Sequence, residues 1–238
     1  MSIWVEQLTK YYCLNGESIK VLEDLSFAME KGEFVSVLGP SGCGKSTLLE
    51  TIAGMTSVDE GNVTIDGKVC FMPQNDMLLP WLRLIDNAVL PSVLQGKSND
   101  ELILLKNKAN KLLPLFGLQE FKQSYPHQLS GGMRQRVALL RTYLLGGDFW
   151  LLDEPFAKLD ALTREELQDW LLQVWHYAST GVLFVTHDIE EAIRLSSRIL
   201  LLSARPGRLL EEYVIEPSLS QTQALALKQK IKERMSLD

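Results

Sequence analysis

Nine consecutive residues constrain this chain more than any other feature. Gly39-Pro40-Ser41-Gly42-Cys43-Gly44-Lys45-Ser46-Thr47 has the spacing G-x-x-x-x-G-K-[ST]. It follows the short apolar run Phe34-Val35-Ser36-Val37-Leu38, which reads as a buried strand closed by Gly39-Pro40. A helix is predicted to start near Gly44. Strand, tight loop and helix in this order are the context in which the spacing becomes a phosphate cradle. Glycines let the backbone wrap closely and turn its N–H groups inward. The helix start adds unpaired N–H groups and about half a positive charge. Lys45 then supplies a mobile charge for the β- and γ-phosphates, Ser46 a hydroxyl for Mg²⁺, and Thr47 a contact to another phosphate oxygen. Cys43 fills a variable position of the loop, where backbone N–H groups and Lys45 would favour its thiolate.

The rest of the composition excludes several classes of chain. The 238 residues suggest one large domain, or a core with a subdomain. At 46% hydrophobic and 23% charged, disorder is not expected. No apolar run approaches the ~18–20 residues that span a bilayer, and the N-terminus has no basic-then-apolar leader pattern. Cys13, Cys43 and Cys70 are odd in number and far apart, so neither a disulfide framework nor a zinc site is expected. A net charge of -6 without any Lys/Arg block argues against a nucleic-acid partner.

Along the chain, strands are expected at residues 3–12 and 19–29, joined by a turn at Asn15-Gly16, and again at Val63–Ile65 and Val69–Met72. Leu102, Leu105, Ala109, Leu112 and Phe116 recur at spacings of 3 and 4, a helical face over 98–116 opened by a Ser98–Glu101 capping box. Another helix should follow Gly131, then an apolar strand at Phe149–Leu152. Thr163 and Glu166 read as the capping box of the next helix, with Leu167, Trp170, Leu171 and Val174 on one face. Val182–Val185, Ile199–Leu202 and Leu209–Ile215 read as strands, and Asp188 with Glu191 as the cap between the first two. Alternating strands and helices mean a mainly parallel α/β sheet. A helical subdomain, about 90–145, would be inserted in the core, and 217–238 would form a helical tail packed on the body.

Two further stretches carry chemistry. Phe149-Trp150-Leu151-Leu152-Asp153-Glu154 is an apolar strand ending in two acids at the crevice end of such a sheet. Asp153 is placed to hold Mg²⁺, and Glu154 to orient or deprotonate a water. Leu129-Ser130-Gly131-Gly132-Met133 offers a hydroxyl and two glycines before a helix, either a second anion site or a serine cap with glycines for tight packing.

Taken in order, Gly39–Thr47, Leu129–Met133 and Phe149–Glu154 resemble the Walker A, signature and Walker B motifs of ATP-binding cassette (ABC) ATPases. Leu129 lies 24 residues before Asp153, as in that family. The resemblance runs from about residue 3 to about residue 215. It implies a P-loop NTPase (RecA-like) α/β core with an N-terminal antiparallel β part, spanning 1–216, with ATP and Mg²⁺ as cofactors. It also implies roles for single residues. Tyr12 resembles the aromatic that stacks on adenine, with Tyr11 as the alternative. Gln74, in Phe71-Met72-Pro73-Gln74, resembles the glutamine that contacts Mg²⁺ and the attacking water. Leu159-Asp160 resembles the loop that meets a second subunit, although Lys158 replaces the small residue more usual there. His187, in Thr186-His187-Asp188, resembles the histidine that contacts the γ-phosphate.

In the family two copies enclose each nucleotide between the loop Gly39–Thr47 of one and Ser130, Gly131 and Gly132 of the other. The resemblance therefore implies a homodimer, separate transmembrane permease subunits, an indirect link to a periplasmic or surface solute-binding protein, and a peripheral position on the cytoplasmic face of the inner membrane. The apolar loop Asp76-Met77-Leu78-Leu79-Pro80-Trp81-Leu82 would receive the permease. Leu79-Pro80-Trp81, Asp86-Asn87 and Ser203-Ala204-Arg205-Pro206-Gly207-Arg208 resemble importers for nitrate, sulfonates, taurine and thiamine-precursor pyrimidines. The expected activity is ATP hydrolysis energising import of a small anionic or heterocyclic solute.

Overall fold

β1 (Ser2–Leu14) and β2 (Glu17–Glu30) run antiparallel, with Ser2 opposite Glu30 and Tyr12 opposite Ile19. Ile3, Val5, Leu8, Leu25 and Met29 turn into the core while Trp4, Glu6, Asp24, Ser26, Ala28 and Glu30 are exposed, the alternation expected of a sheet with one wet face. The computed structural model describes residues 1–14, 16–157 and 159–237. Asn15 of the expected turn and Lys158 lie outside the described residues.

β3 (Phe34–Leu38) is buried throughout and leads through Gly39–Gly44 into α1 (Lys45–Ile52). β4 (Glu60–Asp66) pairs with β1, so that β2-β1-β4 form one antiparallel sheet. The second sheet contains β5 (Val69–Met72), β6 (Phe149–Asp153), β7 (Gly181–Thr186), β8 (Arg198–Leu202) and β9 (Leu209–Val214), in the order β5-β6-β7-β3-β8-β9. The pairs β6–β7, β7–β3 and β3–β8 are parallel, and β8–β9 is antiparallel. One face carries Val35, Val37, Leu151, Leu183 and Val185 against β1, β2 and α1. The other carries Leu38, Ile199 and Leu201 against α6 (Ile189–Leu195), with Ile231 of α7 (Gln221–Ser236) fully buried beside them. Two covered faces explain why these strands read as continuous apolar runs.

The chain divides into two units. Met1–Phe71, Asp148–Glu154 and Thr180–Asp238 form the first, and Met72–Gly147 with Pro155–Ser179 the second. The insertion expected at 90–145 is therefore wider in space. Within the second unit lie α2 (Leu84–Leu94), α3 (Asn99–Leu112), α4 (Gly131–Leu144) and α5 (Ala161–Ala178). Phe116 meets Tyr143 and Trp170 edge-on, and the Trp170 indole N–H donates to Leu115 O at 2.8 Å. The Ser98–Glu101 capping box is present. The Thr163–Glu166 box is not: Asp160 caps α5, accepting from the Thr163 N–H, and the helix starts one residue later at Ala161. Thr163 is the third residue of that helix, so its hydroxyl serves Asp160 instead of opening a turn. Among the described residues no helix is long and apolar enough to cross a membrane.

Candidate nucleotide site

The loop after β3 is held from outside by two neighbours. Gly44 has φ of 108°, and a Cβ there would lie 2.7 Å from Leu22 Cδ2, so the position needs glycine both for its backbone and for its space. On the other side, Arg205 Nε donates to Gly42 O at 3.2 Å, and the Gly207 N–H donates to Val21 O at 2.8 Å. The segment Ser203–Arg208 thus braces the loop, a duty the sequence does not announce. Cys43 is buried here, and burial pushes its thiol above the ordinary range despite nearby Lys45. The expectation of an activated thiolate is overturned: loss of water outweighs the local positive charge.

Lys45 is also buried. Its ammonium donates to Gly39 O at 2.8 Å and Pro40 O at 2.9 Å, folded into the loop it would serve. Ser46 Oγ donates to Asp153 Oδ1 at 3.1 Å. Asp153 ends β6 almost fully buried, and burial pushes its carboxyl upward, partly offset by the Ser46 hydroxyl. The two hard oxygens sit together, and among the described residues no group of three His, Cys, Asp or Glu forms a metal cage. A magnesium ion needs no cage: it takes one or two protein oxygens and completes its shell with phosphate and water.

Glu154 follows in left-handed backbone geometry, φ 41°, a conformation that costs a non-glycine residue about 1–3 kcal/mol and clusters at functional sites. Its N–H donates to Val185 O at 3.0 Å. This tie brings the turn after β6 to the end of β7, and so to His187. Glu154 Oε2 lies 3.2 Å from His187 Nδ1, and Oε1 lies 3.9 Å from Lys45 Nζ. Lys45, Ser46, Asp153, Glu154 and His187 are thereby gathered at the same ends of three adjacent parallel strands, β6, β7 and β3. Tyr12 is exposed and faces Ile19 on β2, two residues from Val21, which touches Gly44. Tyr11 is more enclosed, with its hydroxyl donating to Glu60 and Lys20 lying over its ring.

The remaining expected site residues belong to the second unit. Gln74 is exposed in the loop after β5. Ser130 caps α4, accepting from the Met133 N–H at 3.2 Å. Gly132 is buried, and a Cβ there would come within 2.9 Å of Thr163 Cγ2. The serine cap and the tight-packing glycine are thus both present, and Ser130 is exposed at the helix start. Asp160 caps α5, and its bonds from the Thr163 N–H and hydroxyl hold its carboxyl below the usual range. The loop before α2 is fixed by buried Asn87, which accepts from Leu79 N and donates to Leu79 O and Leu82 O. Arg141 donates to Asp76 O and Met77 O, and Arg134 pairs with Asp76 at 3.1 Å. So held, the loop leaves Met77 63% and Trp81 68% exposed. An apolar groove of about 590 Å³ between α2 and α3, lined by Leu82, Val89, Val93, Leu102 and Ile103, opens beside Leu82.

Known proteins resemble this chain in sequence and in fold. The family model described as ABC transporter matches residues 22–157. An aliphatic sulfonates import ATP-binding protein SsuB of Bacillus cereus is 43% identical over 217 residues, 88% of this chain and 84% of its own. A taurine import ATP-binding protein TauB of Pseudomonas aeruginosa is 41% identical over 209 residues, 84% of this chain and 78% of its own. The dimeric post-hydrolysis structure of the ATP-binding cassette MJ0796 bound to ADP and Pi superposes with a TM-score of 0.76 at 30% identity, covering 90% of this chain and 99% of that one. With more than half its length matched and relatives above 40% identity over most of the chain, this protein belongs to the ABC transporter family, as one of its ATP-binding cassettes.

Proposed function

We propose that this subunit hydrolyses ATP to drive a membrane importer, using Glu154 as the general base. The observation that carries the reading is Glu154 standing between Lys45 and His187, directly after the Ser46–Asp153 pair. In this reading the loop N–H groups and Lys45 take the phosphates, and Lys45 releases its two loop carbonyls to do so. Tyr12 stacks on the base. Ser46 and Asp153 hold Mg²⁺, with Gln74 as a further oxygen contact. Bound there, that ion would screen the phosphate charge. Glu154 accepts a proton from the water in line with the γ-phosphate, and His187 donates to the γ-phosphate oxygens while fixing the Glu154 carboxylate. Ser130, Gly131 and Gly132 of a second copy cover the same nucleotide, and Asp160 lies in the loop that meets that copy.

Separate permease subunits would hold this one on the cytoplasmic face of the inner membrane through Met77 and Trp81. Partners outside this chain choose the solute. The relatives named for sulfonates and taurine favour a small sulfonate-like anion within the wider class of anionic or heterocyclic solutes. Equilibrium binding of a fluorescent ATP analogue tests the base of this account. Lys45→Ala should weaken it sharply, because it removes a cation from a partly dry phosphate site. Unchanged affinity would overturn the assignment of the loop.

A further inference from the structure

We infer that Thr186 and Glu191 are positioning residues for His187, acting through a buried hydrogen bond that fixes the backbone on either side of it. The inference rests on the reading above that His187 meets the γ-phosphate. Its starting observation is how little holds the imidazole itself. The His187 side chain is 52% exposed, with Glu154 Oε2 at 3.2 Å. An imidazole so exposed takes its position mainly from its backbone.

That backbone is held with unusual care. Thr186 ends β7, its Cα opposite Leu38 in the central parallel pair. It is 2% exposed and Glu191 is 6% exposed, both polar groups in the core. Thr186 Oγ1 donates to Glu191 Oε2 at 2.7 Å and accepts from the Asp188 N–H at 3.0 Å. Asp188 Oδ1 then accepts from the N–H groups of Glu190 and Glu191, which caps α6. The three-residue turn Thr186-His187-Asp188 is therefore clamped at both ends by one hydroxyl, and that hydroxyl is oriented by one buried carboxylate. Ile189 and Ala192 anchor the same helix in the core beside Leu38.

A buried carboxylate is costly to keep unless it is well bonded. The α6 start has its cap in Asp188 already, so capping does not require Glu191. Aiming the Thr186 hydroxyl does require it. The sequence suggested Asp188 with Glu191 as a simple helix start. The structure turns the Glu191 carboxylate back to the end of β7, toward the turn that carries His187.

The test is a double-mutant cycle on MgATP turnover by the full chain. Thr186→Val keeps the shape and removes the hydroxyl; Thr186→Ser keeps the hydroxyl. Displacements well under 1 Å at reacting groups change rates substantially, so Thr186→Val should lower kcat by at least ~10-fold. MgATP affinity should stay within about two-fold, and Thr186→Ser should restore turnover. In a His187→Ala background, Thr186→Val should change the rate by less than about two-fold, because residues acting through a common group are not additive. Should Thr186→Val unfold the chain, Glu191→Met removes the acceptor from the other side at similar volume, with the same expected pattern. An equal fold loss in both backgrounds, or full turnover by Thr186→Val in the parent, would overturn the inference. Full turnover by His187→Ala would instead overturn the reading of His187 on which it rests.

Discussion

The proposed Mg²⁺-holding role needs Asp153 as an anion, in a place that disfavours one. Burial pushes its carboxyl upward, with the Ser46 hydroxyl opposing and the Glu154 charge adding to the shift. An acid raised in the folded state contributes stability that is complete below the ordinary carboxylate range and is lost as pH rises through its raised value. Without nucleotide, Asp153→Asn should therefore raise Tm at neutral pH by about 2–4 °C, the shift that ~1 kcal/mol produces in a chain of this size, and leave it unchanged near pH 3. The same variant should lose Mg²⁺-dependent ATP affinity. Thermal unfolding across pH, with and without MgATP, checks both; a variant less stable than the parent at neutral pH without nucleotide would contradict the account. Tyr12→Ala should weaken ATP binding by roughly 1–3 kcal/mol, the scale of stacking on an aromatic ring, and Tyr11→Ala by much less. The reverse order would mean that the more enclosed tyrosine is the stacking one. Lys45, Ser46 and Asp153 were legible because short-range spacing encodes their chemistry. The approach of His187 to Glu154 was not, since parallel pairing of β6 and β7 brings them together; the family resemblance gave His187 only a contact to the γ-phosphate. Cys43 fills its loop position, but its depth, which the sequence does not show, raises the thiol instead of activating it.

At the scale of elements, α4 shows two duties in adjacent residues. Gly132 lets α4 approach α5, and a methyl group there would lie 2.9 Å from Thr163 Cγ2 and 3.3 Å from Leu167 Cδ1. Gly132→Ala should cost about 1–3 kcal/mol by overpacking, measured by denaturant unfolding; no loss would mean that the helices separate freely. Ser130→Arg acts otherwise. Loss of the cap should cost only ~1 kcal/mol and nucleotide binding should persist, but ATP-driven dimers should disappear in light scattering. Dimers that persist would mean that Ser130 does not face a partner's nucleotide. Elements with local signals were readable: the buried strands from their apolar runs, α3 from its capping box, the long β1–β2 pair from the turn chemistry between its strands. α2 was hidden because Pro91 sits inside it, where proline ordinarily ends a helix. The start of α5 is not legible because Thr163 and Glu166 have capping-box spacing, while the carboxylate that accepts from the Thr163 N–H belongs to Asp160.

For the whole molecule, the exposed pair Met77 and Trp81 is the feature a free subunit has least reason to keep. Asn87, Arg134 and Arg141 bond to their loop while both side chains stay in solvent. Trp81→Ala should reduce co-purification with permease subunits at least about tenfold, as loss of a central aromatic anchor does at protein interfaces, while MgATP affinity of the isolated chain stays unchanged. Undiminished co-purification would move the docking surface elsewhere. Hydrolysis itself is tested most directly at Glu154. Glu154→Gln keeps the shape and a hydrogen-bonding oxygen but removes the basicity. Turnover and dimer fraction should be measured together in MgATP. A positioned general base contributes ~10²–10⁴-fold, so turnover should fall at least ~10²-fold while ATP stays bound and holds two copies together. Turnover within a few-fold of the parent would contradict the account, because the proton would then leave the attacking water by a route that does not involve Glu154.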